Sequence, residues 1–430
     1  MNVDAVLSLI DREELASLVL RFANIPSPTG SEEAVGQAVY DWLKENGFEA
    51  RRMEVAPGRF NVMALLKGTG EGKSLIFNGH LDTKYGAPDD IWSAGDIFPE
   101  YMRAWREGDL LFGHGVFNDK GPLSATFLAA RAIRDSGMRL RGDLYLTAVV
   151  GEIGTAPVDE FQGPRYVGKG VGARHLVDHG VYADYALVAE CTNFSTTWAQ
   201  CGCAYFQITT RGTGLYTPTI PRPTTLTDNP NAIVKMAQVV NALETWANGY
   251  IERESVRFEG GVIRPNVSVG AIRGGLPYKI GNSAGRCSIY LDVRIPPGKD
   301  PLFVKPEIEE VIRKTGVEAE VRPYMTRWGY IAKGHEPLVE AIRRGHERVI
   351  GKPLETVASP ITSMWRDMNI FNEVQIPAAT YGPSFAMDFS EGKLRRVIQA
   401  DDLWKAAKAY ALVAMDICSR EAGGSSRKDA

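Results

Sequence analysis

Apolar runs alternating with helical segments constrain this chain more than any other feature. Leu75-Ile76-Phe77 reads as a short buried strand that stops at Asn78-Gly79. Gly121-Pro122 opens a helix predicted to reach Ser136, with proline in its first turn. Residues 143–150 read as a strand, 170–179 as a helix and 185–189 as another strand. Ser31 reads as the N-cap of an earlier helix, after an interruption at residues 25–29. A long aromatic-rich loop is expected over 84–118. Strands that are apolar throughout and separated by helices argue for an α/β fold with a mostly parallel sheet covered by helices.

The pattern changes near residue 200. A strand over 205–210, a helix over 231–249, strands over 266–272 and 287–295, a helix over 306–315 and a strand over 317–324 follow in turn. Strand-helix-strand-strand-helix-strand is the ferredoxin-like α+β arrangement. After residue 335 the first pattern resumes, ending in a helix over 401–418. The 430 residues are too many for one core. The expected organisation is a first segment over 1–198, an inserted ferredoxin-like domain over 199–328, a second segment over 329–418 and a flexible tail over 419–430.

Net charge is -3, which makes no electrostatic case for nucleic acid or an anionic membrane as partner. No run of about 18 apolar residues exists, so no span is expected. The N-terminal residues show no signal-peptide pattern. The five cysteines are an odd, sparse set, which suits reduced thiols in the cytoplasm. Cys201-Gly202-Cys203 has no second cysteine pair to complete a metal site, so buried structural thiols are expected there.

His80 and Asp82 follow the Leu75 strand two residues apart, so in extended chain they point to one side. Asp119 stands directly before a helix, Glu152 follows the strand ending at Val150, and Glu190 follows the strand ending at Ala189. Open α/β sheets build their sites at the carboxyl ends of strands. One carboxylate there is unremarkable, since such a side chain often caps a helix or faces solvent. Four strand ends each delivering a metal-capable group point to a divalent ion. One imidazole with carboxylates suits Mn²⁺, Zn²⁺ or Co²⁺.

Gly79-His80-Leu81-Asp82-Thr83, Asn118-Asp119-Lys120-Gly121, Glu152-Ile153-Gly154 and Ala189-Glu190, with an inserted ferredoxin-like domain, resemble the aminoacylase/carboxypeptidase family of metallohydrolases. The resemblance covers residues 10–418. It implies that His80 and Glu190 hold a first metal, Asp119 bridges to a second, Glu152 helps hold that second metal, and Asp82 orients His80. It also implies a homo-oligomer.

The chain departs from that pattern in three places. The family carries two adjacent glutamates, the first acting as general base, where this chain has Gly151-Glu152. The second metal of the family uses a histidine after a Gly-Pro turn. The turn is present at Gly382-Pro383, but no histidine lies beyond His346. Tyr216 stands where the family presents a histidine to the oxyanion. The expectation is therefore one metal, held by His80, Asp119 and Glu190, with Glu152 released to act as base on a metal-activated water. Losing an oxyanion donor costs about 3 kcal/mol, so an electron-poor aromatic amine that spreads its own charge is the expected substrate. What the resemblance implies is hydrolytic deamination of 5-nitroanthranilate to 5-nitrosalicylate and ammonia, with manganese as the metal. A deacylase or dipeptidase of N-acyl amino acids or dipeptides is the alternative, and a non-catalytic ligand-binding relative a second alternative. Arg294 and Arg366 are candidate clamps for a small aromatic acid, beside Tyr216 and Trp365. Trp198 reads as core, and His114, close to Asp119, as an extra ligand candidate.

Overall fold

The structure, a computed structural model, describes residues 3–84, 103–357, 359–388 and 395–422. The strand Leu75–His80 is buried at every position. It lies within an eight-stranded sheet whose spatial order is Glu49–Ala56, Arg59–Leu66, Leu144–Val149, Leu75–His80, Tyr185–Ala189, Ala378–Tyr381, Ser195–Thr197 and Glu355–Thr356. The four strands from Leu144–Val149 to Ala378–Tyr381 are mutually parallel, so their carboxyl ends share one edge. Burial on both faces explains their unbroken apolar runs. The helices Lys120–Asp135, Glu336–Ile350 and Ala400–Ser419 pack beside this sheet and each other. The last turns Leu403, Ala407, Tyr410 and Ala414 inward, the spacing of one helical face.

The chain divides into two compact units. One comprises Met1–Trp198, Ala332–Val357 and Arg366–Ala430, and the other Ala199–Ile331 and Ala358–Trp365. The second unit holds a four-stranded antiparallel sheet, ordered Val267–Gly274, Arg286–Ile295, Gly202–Arg211, Ala319–Arg327. Its helices Ala232–Glu254 and Lys305–Lys314 bury Met236, Val239 and Ile308 against Phe206, Ile208 and Leu291 of that sheet. This is the ferredoxin-like order. Asn231 caps the longer helix through the backbone N–H of Ile233.

Several local expectations are corrected. Glu32, not Ser31, stands at the N-cap of the helix Glu33–Glu45, without a side-chain capping bond. Its carboxylate is drawn instead to the buried guanidinium of Arg59, at 2.6 and 2.9 Å. Helix Lys120–Asp135 begins two residues before Pro122. The stretch 84–118 is not all loop. Trp105–Glu107 and Leu110–Phe112 join Arg395–Gln399 and Ala386–Asp388 in a further four-stranded sheet, while 85–102 lies outside the described residues. The edge hairpin Glu49–Ala56 and Arg59–Leu66 is hidden in the sequence by its run Arg51-Arg52-Met53-Glu54, which breaks the alternation a half-buried strand would show. Of the tail expected over 419–430, residues 423–430 lie outside the described residues.

Candidate metal centre

Three of the parallel strands deliver a donor to the same edge. His80 ends the first, Glu152 follows the second by three residues, and Glu190 follows the third directly. One ligand atom from each lies within 4.8 Å of the other two, and all three residues are buried. His80 Nε2 is 3.9 Å from Glu152 Oε2 and 4.0 Å from Glu190 Oε1.

His80 is held through its other ring nitrogen. Nδ1 lies 2.9 Å from the Asp82 carbonyl oxygen and 3.3 Å from Asp82 Oδ1. Both partners are acceptors, so Nδ1 carries the proton and Nε2 faces the donor cluster. The Asp82 carboxylate is fixed in turn by the Glu152 and Ile153 backbone N–H groups, at 3.0 Å each, and by the Thr29 hydroxyl at 2.7 Å. Asp82 therefore ties the imidazole to the loop that carries Glu152. Burial pushes the Asp82 carboxyl up, but the His80 hydrogen bond and charge outweigh it and hold the group below its ordinary range.

Asp119 precedes a helix, the usual place for a capping acid, yet makes no side-chain capping bond. Its Oδ2 accepts the backbone N–H of His80 at 3.0 Å, and its buried Oδ1 has no hydrogen bond among the described residues. Gly79 makes room for it, since a Cβ there would meet Asp119 Oδ2 at 2.7 Å. Glu190 pairs with Arg366, Nε to Oε2 at 3.1 Å. Arg366 Nη2 also reaches the Cys191 carbonyl at 3.4 Å.

The electrostatics fit a site for a divalent cation. Burial lifts Asp119 well above the carboxylate range, and it lifts Glu152 to about 7 against the pull of His80. Burial lowers His80, but the Asp82 hydrogen bond and the charges of Asp82, Asp119 and Glu152 raise it well above the usual imidazole range. Packed acids of one sign cannot all ionise in a dry site unless a positive charge stands among them. The orphaned Asp119 oxygen and the His80–Glu152–Glu190 triad offer a divalent ion the donors it needs.

Asp367 was not picked out from sequence. It stands at the N-cap position of helix Met368–Glu373 and makes no capping bond there. Its Oδ2 instead accepts from Asn78 Nδ2 at 3.1 Å, and its Oδ1 has no hydrogen bond among the described residues. Asn78 and His80 share a face of their strand, so Asp367 lies beside the imidazole. Burial, and then the charge of Glu152, raise it well above the carboxylate range. An acid before a helix reads as a cap, which concealed this group. Asn118 was missed too, with its Oδ1 2.8 Å from His80 Nε2.

The remaining candidates are placed within their own units. In the inserted unit Arg294 pairs with Asp292 at 2.9 Å and Tyr216 is 63% exposed. Trp365 is buried. Trp198, as expected, is core, stacked on His335. His114 is buried, and its Nδ1 meets Arg396 Nη1 at 3.4 Å.

The chain belongs to peptidase family M20/M25/M40, whose model matches residues 76–416. It is a metal-dependent hydrolase of C–N bonds. It is 26% identical to N-formyl-4-amino-5-aminomethyl-2-methylpyrimidine deformylase of Bacillus subtilis over 403 residues, 86% of each chain. It is also 26% identical to acetylornithine deacetylase of Vibrio vulnificus, over 77% of this chain and 80% of the other. Human carnosine dipeptidase 1 shares the fold, with a TM-score of 0.70 at 17% identity over 97% of this chain and 99% of that one. No helix among the described residues is long and apolar enough to cross a membrane.

Proposed function

We propose that this site binds one divalent cation and hydrolyses an acyl C–N bond of a small substrate, as a deacylase or dipeptidase. The observation that carries this reading is the meeting of His80, Glu152 and Glu190 at one sheet edge. Relatives named as a deformylase and a deacetylase support the choice of bond. His80, Asp119 and Glu190 hold the cation, with Mn²⁺ favoured over Zn²⁺ and Co²⁺. Such an ion polarises a carbonyl and lowers the pKa of a nearby water. Glu152 takes the proton of the attacking water and passes it to the departing nitrogen, so a carboxylic acid and an amine leave. Asp82 keeps the His80 tautomer, and Arg366 fixes the Glu190 carboxylate. We place the chain in the reducing cytoplasm, where its five buried free thiols fit, and expect a homo-oligomer.

One observation favours a second reading, on an aromatic amine. Gly151 sits at φ +65°, and a Cβ there would meet Val171 Cγ1 at 2.6 Å and Arg59 Nη2 at 2.7 Å. A side chain at position 151 has no room, so the first of the family's two adjacent glutamates has no counterpart here. A nitro-substituted ring spreads the developing charge itself and needs less help. In this reading 5-nitroanthranilate and water become 5-nitrosalicylate and ammonia, and Arg366 is the residue set aside for the aromatic acid.

One panel tests both. The full chain is assayed with and without Mn²⁺ on N-formyl and N-acetyl amines, dipeptides and 5-nitroanthranilate. Metal-dependent release of carboxylate from the acyl substrates is the expected result. Ammonia from 5-nitroanthranilate alone moves the assignment to the second reading, and turnover of none sinks both.

A further inference from the structure

A second cluster adjoins the metal donors and uses none of them. Phe117 stands two residues before Asp119, and its carbonyl accepts from the thiol of Cys191, the residue after Glu190, at 3.2 Å. Its ring stacks on that of Phe385, with centroids 4.9 Å apart and planes 4° apart. Phe385 follows the Gly382-Pro383 turn, after which the family pattern carries a histidine and this chain has none. Arg396 lies over the other component of this stack, its guanidinium carbon 5.1 Å from the Phe117 centroid.

Arg396 is braced through Nη1, while its Nε is left without a partner among the described residues. Nη1 approaches His114 Nδ1 at 3.4 Å. Arginine has only donors, so Nδ1 accepts and the His114 proton sits on Nε2. Burial, with the charges of Arg396, Lys120 and Lys84, keeps this imidazole neutral, its pKa held down to about 3. Arg396 Nε is buried and has no hydrogen-bond partner among the described residues. A buried guanidinium N–H without an acceptor is costly, and such groups in native folds point to a ligand or ion. The two arginines chosen from sequence are engaged differently, Arg366 on Glu190 and Arg294 on Asp292.

We infer that Arg396 receives an anionic group of the substrate, a carboxylate, with the Phe117–Phe385 stack as the flat wall beside it. The planar fork of a guanidinium matches a carboxylate, and stacked rings favour a flat apolar body next to that charge. The substrate class that follows is a small, flat acid. This assignment rests on the adjoining donors being the hydrolytic site.

The test compares binding of benzoate with binding of benzamide by calorimetry, using the full chain in Mn²⁺. Wild type is expected to bind benzoate about tenfold more tightly, the order of one charge-assisted pair. Arg396→Gln is expected to erase that preference, and Arg396→Lys, which keeps the charge but not the fork, to retain part of it. Mn²⁺ affinity, titrated without probe, stays unchanged in both variants, which also shows that they are folded. Equal binding of the two probes to wild type, or a preference surviving in Arg396→Gln, overturns the assignment. A wild type that binds no Mn²⁺ refutes the metal site instead, while the benzoate preference is still measured on the same protein.

Discussion

The His80–Glu190 side of the donor cluster and its Glu152 side are built to different standards. On the first side every donor is tied to something else. Asp82 and its three hydrogen-bond donors fix His80, and Arg366 fixes Glu190. On the other side Glu152 follows Gly151, where a side chain would meet Val171 and Arg59, and no histidine occurs beyond His346. A metal ligand must be held to a few tenths of an ångström, whereas a base must only reach a proton. The contrast is why the proposed reading gives the ion to one side and proton transfer to the other.

Three substitutions probe that division. His80→Ala strips the rigid side and is expected to end turnover and to weaken Mn²⁺ binding by more than the roughly 100-fold typical of outer-shell changes, measured by calorimetry. If Mn²⁺ affinity stayed at the wild-type level, the ion would belong elsewhere. Glu152→Gln keeps shape and burial but cannot take a proton. Its kcat is expected to fall by about 10²–10⁴, with Mn²⁺ affinity within a few-fold of wild type. A large loss of Mn²⁺ binding here would make Glu152 a ligand and dissolve the contrast between the two sides. Asp82→Asn breaks the link between imidazole and the Glu152 loop, and about 10–100-fold in metal affinity is expected. Unchanged affinity would show that the Asp82 backbone carbonyl suffices to hold the ring.

Much of this was legible in the sequence, for reasons that particular residues show. Leu75–His80 and Tyr185–Ala189 are central parallel strands, so burial on both faces wrote itself into unbroken apolar runs. The donors at their ends were visible because the polarity changes abruptly there. The edge hairpin before them was not, because exposure of one face allowed charges into it. Asp367 and Arg396 were invisible for another reason. Their importance comes from partners 289 and 282 residues distant in the chain, Asn78 and His114. Short-range spacing carries no trace of such pairings.

The smallest effect is on stability, and it separates the two sides through protons. Burial lifts Glu152 from the ordinary carboxylate range to about 7. A carboxyl raised on folding contributes stability below pH 4.5 and loses it as pH climbs through about 7. His80, also raised, acts in the same direction, its contribution fading as pH rises through its elevated folded value. Asp82 is lowered, so it gives up stability only as pH falls below the ordinary carboxylate range, outside this window. The metal-free protein is therefore expected to melt a few degrees lower at pH 7.5 than at pH 5, measured by calorimetry in chelator. Excess Mn²⁺ supplies the positive charge that the acids lack and displaces the His80 proton, so the loaded protein should show the opposite trend. A metal-free melting temperature that rises across this range would mean that the acids are already neutralised by groups of the chain itself, and the division of labour between the two sides would lose its electrostatic basis.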